Sequence, residues 1–268
     1  MTTIAELAED RTVEGTYAVV RKRRLRTRSG NDYLALELVD PSGRIEGRVW
    51  QDVELLDSRF AEGDAVHVLG RVERYRDRLQ LDVRTIEPAE DADPAAFAPA
   101  MRRDVDELEG FLDFLASEIH EAGLRGLVGR VLADSPLHAY PATLDGHHSY
   151  AGGLLEHTVG VATICRELCQ LHPRLRSDVL LAAALVHDVG RTRELGPPPT
   201  FNPTTEGALL GHVQLGLRLL ERHGAPVELL HAVGAHHDSR AAKTAEAAAL
   251  YHANALDAVA ATRPAGAE

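Results

Sequence analysis

The sequence predicts a multidomain α and β protein, with an N-terminal β-barrel followed by an all-α domain. Three observations carry that expectation. Residues 11 to about 87 alternate apolar and polar side chains with the period of strands. From Asp104 onward the apolar residues recur with the period of helices. Of 14 histidines, only His67 lies before residue 120, and the other 13 fall between His120 and His252.

The strand segments come in order. "GTYAVVRKRRL" and "DYLALELVD" are rich in β-branched, aromatic and aliphatic residues, and "PSG" at Pro41 to Gly43 reads as a hairpin turn. "RIEGRVW" sets Ile45, Gly47 and Val49 against charged neighbours. "QDVELLDSRFAEGD" then predicts a short helix and a loop, before "DAVHVLGRVERY" and "RLQLDVRTIEP" alternate again. Five strands with one helical interruption match the oligonucleotide/oligosaccharide-binding (OB) type barrel, with an SH3-like barrel as the main rival. The domain spans expected are 1–87 for the barrel, 88–103 for an Ala-, Pro- and acid-rich linker, and 104–268 for the helical domain.

In the helical half, "DVDELEGFLDFLASEIH" places Val105, Leu108, Phe111, Leu112, Leu115 and Ile119 on one stripe, and Asp104 with Glu107 resembles a capping box. Further helices are expected at about 123–133, 152–171, 177–188, 205–223, 225–236 and 243–261, separated by Gly and Pro.

Composition narrows the class. The chain has 268 residues, 44% of them hydrophobic and 26% charged, as in soluble globular proteins. No apolar run reaches the length of a membrane span, and "MTTIAELAEDRTVEG" lacks the layout of a signal peptide, so no membrane partner and a cytoplasmic location are expected. Cys165 and Cys169 read as small buried hydrophobes or bystander thiols. A net charge of −12 gives no support to nucleic-acid binding in bulk, but "RKRRLRTR", Arg21 to Arg28, is a local basic run. Such a run tracks a phosphate backbone or simply guards a solvated strand edge.

The histidines carry the chemistry. His157 stands in "GGLLEHTVG", His187 and Asp188 in "VHDVG", His212 in "LLGHVQLG", and His236 and His237 in "GAHHDS". Each lies within or at the end of an expected helix. Imidazole and carboxylate are the usual ligands of divalent ions such as Mn²⁺, Fe²⁺ or Zn²⁺, and a core does not readily accept so many unpartnered imidazoles. A metal site is therefore expected. His147 and His148, in a loop before the first of these helices, read equally well as substrate contacts or as local caps. His172 and His223 read as helix C-terminal residues, His231 and His252 as packing or surface residues, and His120 and His138 carry no motif.

The segments "HHSYAGGLLEHTVGVA", "LLAAALVHDVGR", "GHVQLG", "HH" and "EAAALYHANALDA" together resemble the HD phosphohydrolase superfamily. Within it they look like the YhaM-type 3′→5′ exoribonucleases, in which an OB domain precedes an HD domain. The resemblance covers residues from about 11 to 260. It implies an N-terminal OB-type β-barrel followed by an all-α HD-domain. It implies two divalent ions, Mn²⁺ first with Fe²⁺, Mg²⁺ or Zn²⁺ as alternatives. It assigns His157, His187 and Asp188 to the first ion, with Asp188 bridging, and His212, His236 and His237 to the second. The chain departs from the pattern at "ANALDA", where Asn254 stands in place of the acid expected to complete the first shell. An asparagine oxygen can ligate but brings no charge. Asp257, near the same helix face, is the candidate to compensate, either as a ligand or from behind one. Arg191 stands where many relatives have lysine; both are cations able to hold phosphate.

Asp188, His187 and Arg191 are thus the expected catalytic residues of a metal-dependent phosphodiester hydrolase that acts through water. For the barrel, Arg21, Lys22, Arg23 and Arg24 with Tyr33 and Trp50 are the expected strand-binding residues, alongside Tyr17 and Tyr75, although each aromatic taken singly reads better as core. His147 and His148 complete the substrate set. The partner expected from the resemblance is single-stranded RNA, with single-stranded DNA as an extension, and a homo-oligomer is left open. The rival readings are an HD phosphodiesterase for a nucleotide or cyclic dinucleotide, and a degenerate HD protein acting as a nucleic-acid-binding module.

Overall fold

A computed structural model of the chain describes residues 2–262. It divides into two compact units: one runs to Ala100 and includes Pro197–Phe201, and the other begins at Met101 and takes in the rest. Of the expected domain spans, Met1 and residues 263–268 lie outside the described residues.

The first unit is a closed five-stranded barrel built from β1 (Thr12–Arg26), β2 (Asp32–Asp40), β3 (Gly43–Val49), β4 (Ala65–Tyr75) and β5 (Arg78–Pro88). The strand order is β1-β2-β3-β5-β4, and β1 closes the barrel against β4. Only the β3–β5 pair is parallel; the rest are antiparallel. Alternation drives the closure: Ile45, Gly47 and Val49 of β3 point inward while Arg44 and Glu46 stay out. β1 is long because its pairing shifts register between Val19 and Arg21, which lets one strand serve both neighbours. The short helix expected after β3 is α1 (Val53–Asp57). After β5 the chain makes a single 3₁₀ turn, Pro94–Phe97, capped by the Asp93 carboxylate.

The second unit is helical. Its elements are α2 (Val105–Ser117), α3 (Ala122–Ala133), α4 (Gly153–Leu171), α5 (Ser177–Val186), α6 (Arg191–Glu194), α7 (Thr205–Arg222), α8 (Val227–Ala235) and α9 (Ala245–Thr262). α5, "SDVLLAAALV", is the axis of the unit. It is apolar on every side and buried from Val179 to Val186, which is the pattern of a helix with neighbours all round. α2 behaves as an amphipathic helix: Leu108, Leu112, Leu115 and the following Ile119 are buried. Val105 and Phe111, expected on the same stripe, are instead 39% and 46% exposed, because they lie at its two margins. Asp104 caps α2 through the N–H groups of Asp106 and Glu107, while the Glu107 carboxylate sits 3.9 Å from Arg103.

Two expected helices differ from observation in ways that matter below. The helix expected at 177–188 ends at Val186, so His187 and Asp188 form its C-terminal edge, followed by the separate α6. The helix expected at 205–223 is bent at Gly211, whose φ of 70° and ψ of 163° interrupt the helical path. Among the described residues no helix is long and apolar enough to cross a membrane.

Leu185 is fully buried on α5. Leu185→Ala should therefore destabilise the helical unit by about 2–5 kcal/mol in chemical denaturation, the cost of lost burial plus a cavity.

Candidate metal centre and barrel face

Helix ends and helix faces bring the histidines together. α5 delivers His187 and Asp188 at its C-terminus, fully and almost fully buried. α4 contributes His157, the first half of bent α7 ends so that His212 follows the Gly211 bend, and α8 ends in His236 and His237. Three groups result, in each of which the ligand atoms lie within 4.8 Å of one another: Asp188 with His212, His236 and His237; His157 with His187 and Asp188; and His148 with His157 and Asp257. Asp188 is shared by the first two.

The distances define how the groups face. His212 Nε2 lies 3.2 Å and His236 Nε2 lies 3.4 Å from Asp188 Oδ1. His212 Nε2 is 2.9 Å from His237 Nε2, and His157 Nε2 is 3.3 Å from His187 Nε2. Opposite nitrogens are engaged elsewhere. His187 Nδ1 meets the Ala184 carbonyl at 2.8 Å, and His236 Nδ1 meets the Val233 carbonyl at 2.5 Å. Both carbonyls sit in the last turn of a helix, and that of Val233 also receives the His236 N–H at 3.4 Å. A carbonyl can only accept, so each Nδ1 carries the proton and each Nε2 presents a lone pair toward Asp188.

Electrostatics favour a cation here. Burial pushes the Asp188 carboxyl up, but His187, His236 and His212 around it outweigh this and hold it well below the usual carboxylate range. Burial pushes His187 down to about 3, and His147 and His237 down to about 4, so these imidazoles are neutral near pH 7. Asp188 Oδ1, His236 Nε2 and Arg191 Nε are buried without a hydrogen-bond partner. A buried anionic oxygen without a partner costs several kcal/mol, and a metal ion held by neutral imidazoles removes that cost. These donors are able to hold a metal.

The remaining expected residues fall around this centre. Arg191 opens α6 with its Nη1 2.7 Å from Glu194 Oε2 and its Nε 3.7 Å from Asp188 Oδ2. Asn254 is buried on α9 and its amide nitrogen donates to the His236 carbonyl at 3.4 Å. Asp257 Oδ2 accepts from His157 Nδ1 at 2.7 Å and His148 Nε2 at 3.1 Å. His147 packs its ring 4.9 Å from that of His157. Four other histidines stand apart in pairs of their own: His120 with Asp178, His138 with Glu109, His223 with Asp134, and His231 with the Lys243 N–H.

Sequence reading missed Glu194. Its Oε1 accepts the His212 N–H at 3.3 Å, on the far side of the Gly211 bend, while Oε2 holds Arg191. One carboxylate thus fixes both the start of the second half of α7 and the guanidinium. Gly190 permits the approach, since a Cβ there would collide with the His212 carbonyl. The only sequence signal is the i,i+3 spacing of Arg191 and Glu194; the link to His212 is tertiary.

On the barrel, Tyr33 of β2 and Trp50 just after β3 stack with centroids 4.8 Å apart, and Trp50 is 50% exposed. The Arg48 guanidinium lies 5.7 Å over the Tyr33 ring. Tyr75 is exposed, but Tyr17 is 1% exposed and belongs to the core. The basic run is largely committed. Lys22 departs from expectation: its ammonium turns inward to the Asp57 and Phe60 carbonyls and the Asp57 carboxylate, closing the C-terminal end of α1. Arg24 pairs with Asp32, Arg21 lies 4.0 Å from Glu37, and Arg23 is exposed.

In metal-free protein the depressed histidines set a pH dependence. Between their folded values of about 3 to 4 and the ordinary 6.5, the unfolded chain binds protons that the folded chain does not. Stability should therefore fall as pH drops below about 6.5. Thermal melts in EDTA at pH 8 and pH 5 check this, with the lower midpoint expected at pH 5.

Comparison with known proteins agrees with this layout. Residues 154–259 match the HD domain family, and residues 13–89 match the OB-fold nucleic acid binding domain family. The chain is 29% identical over 192 residues to the 3'-5' exoribonuclease YhaM of Listeria innocua, covering 70% of this chain and 61% of that protein. It is 28% identical over 206 residues to the protein of the same name from Bacillus subtilis, covering 75% of this chain and 66% of that one. The chain thus spans just under two thirds of the length of these curated relatives. A solved OB-fold domain of replication protein A from Methanococcus maripaludis aligns at 27% identity with a TM-score of 0.28, over 34% of this chain and 96% of its own. The chain carries an OB-fold domain followed by an HD domain, and it is similar to the YhaM 3'-5' exoribonucleases.

Proposed function

We propose that the protein is a metal-dependent 3′→5′ exoribonuclease that hydrolyses single-stranded RNA, and by the same chemistry single-stranded DNA, to 5′-mononucleotides. The observation that carries this reading is the buried Asp188 carboxylate, faced by histidines from three other helices and by His187 on its own, with buried atoms left without hydrogen bonds. The similarity to proteins named 3'-5' exoribonuclease supplies the polarity and the preference for RNA.

In this reading two divalent ions, Mn²⁺ foremost, are held by His157, His187 and Asp188 and by Asp188, His212, His236 and His237. When bound, such ions polarise phosphoryl oxygens and bring the pKa of a water toward neutrality. The chain's own residues do the rest. His187 and His236 hold their lone pairs in place through fixed Nδ1–H donations, so little reorganisation is needed on binding. Arg191, tethered by Glu194 and with its Nε 3.7 Å from Asp188 Oδ2, places its guanidinium charge beside the centre, where a phosphate would be held. In this reading His147, at the edge of the centre, contacts the terminal nucleotide, while His148 is committed to Asp257 and Tyr150. The stacked Tyr33 and Trp50 with Arg48 offer a base-stacking surface on strands β2 and β3, where OB domains take oligonucleotides.

One observation favours a second reading. Asn254 stands where the resemblance expects an acid, as in a degenerate HD domain that only binds nucleic acid. Release of labelled mononucleotides from a 3′-labelled RNA separates the two. The enzyme reading expects Mn²⁺-dependent release that EDTA stops and that Asp188→Ala lowers ~10³-fold or more. Release unaffected by Asp188→Ala would sink it. Trp50→Ala should raise KM with kcat nearly unchanged, by the ~1–3 kcal/mol that stacking contributes per base.

A further inference from the structure

Asp257 lies three residues beyond Asn254 on α9, but its carboxylate is turned to α4. Oδ2 accepts from His157 Nδ1 at 2.7 Å. The same oxygen takes His148 Nε2 at 3.1 Å. The space it occupies is left by Gly160, one turn beyond His157 on α4, where a Cβ would collide with Asp257 Oδ1. His148 in turn meets the Tyr150 hydroxyl at 2.9 Å, which donates to Glu156 at 2.7 Å. The carboxylate is therefore held from several sides, and Gly160 and Asp257 are matched across two helices.

His157 poses a problem that His187 and His236 do not. Those two follow helix C-termini and donate Nδ1–H to the carbonyls of Ala184 and Val233. His157 stands inside α4, where the preceding carbonyls are taken by the helix itself. A neutral imidazole carries one ring proton, and without a fixed acceptor it is shared between two tautomers. Only the tautomer with the proton on Nδ1 leaves a lone pair on Nε2, the atom 3.3 Å from His187 Nε2.

We propose that Asp257 is a positioning residue for His157: it holds the ring proton on Nδ1 and so presents Nε2 to the cluster formed with His187 and Asp188. The consequence for metal affinity rests on the metal reading given above; the tautomer itself does not. Asp257 thereby restores behind His157 the negative charge that Asn254 lacks. A carboxylate behind a ligating imidazole makes it a stronger donor, and losing such a partner costs about 10–100-fold in metal affinity.

The test uses the whole chain with ¹⁵N-labelled histidine, stripped with EDTA. Ring-nitrogen correlation spectra report the His157 tautomer, and titration with Zn²⁺, a diamagnetic probe, reports affinity. Wild type is expected to show the Nδ1–H form. Asp257→Asn should bind Zn²⁺ about 10–100-fold more weakly. Gly160→Ala keeps the carboxylate but displaces it, so it should show mixed His157 tautomers and a similar loss, although alanine is the better helix former. A helix-tying role alone would leave tautomer and affinity unchanged once the variants fold. A His157 proton on Nε2 in wild type, or wild-type Zn²⁺ affinity in both variants, overturns the proposal. Failure of wild type to bind Zn²⁺ would instead defeat the metal reading, and the tautomer would still decide the role of Asp257.

Discussion

A carboxylate at the end of a fully buried helix is the constraint on which the helical unit depends. α5 has no polar face, so it must be surrounded, and its C-terminal Asp188 must then be accommodated where water cannot reach. Such a group is costly to bury alone, and the imidazoles that converge on it from α4, α7 and α8 supply the lone pairs through which a shared cation would offset that cost. The packing of the unit and its candidate chemistry therefore share one cause. α4 and α8 both pack along α5 and aim histidines at its end, while α7, packed on α8, adds His212.

Aim depends on tautomers, and tautomers depend on what lies behind each ring. Two helix C-termini supply last-turn carbonyls for the His187 and His236 rings. The bend at Gly211 gives His212 a fresh helix start, which Glu194 caps while also tethering Arg191. The site is thus assembled from helix ends rather than from helix faces, His157 excepted. This accounts for the glycines beside it: Gly190 admits the His212 backbone and Gly160 admits Asp257.

Much of this was legible in the sequence because it is written in local periods. The alternation of Ile45, Gly47 and Val49 predicts a strand with one buried face, and the apolar run before His187 predicts a buried helix; both are observed. The clustering of His157, His187, Asp188, His212, His236 and His237 followed from their count and their helix positions. What was not legible is tertiary. The basic run hid the inward turn of Lys22, because the Asp57 and Phe60 carbonyls that draw it lie 35 and 38 residues away. Phe111 fits the apolar stripe of α2 but sits at its margin, where exposure depends on which helix packs alongside. Glu194 has an ordinary local spacing, and nothing in its neighbours announces a bond to His212 across 18 residues.

Asp188, on this reading, is buried in order to share cations with the histidines around it. Anomalous diffraction from crystals soaked in Mn²⁺ tests it most directly. Anomalous peaks are expected at coordination distance from Asp188, one toward His157 and His187 and one toward His212, His236 and His237. Crystals with Mn²⁺ bound elsewhere, or with no peak against Asp188, would contradict it.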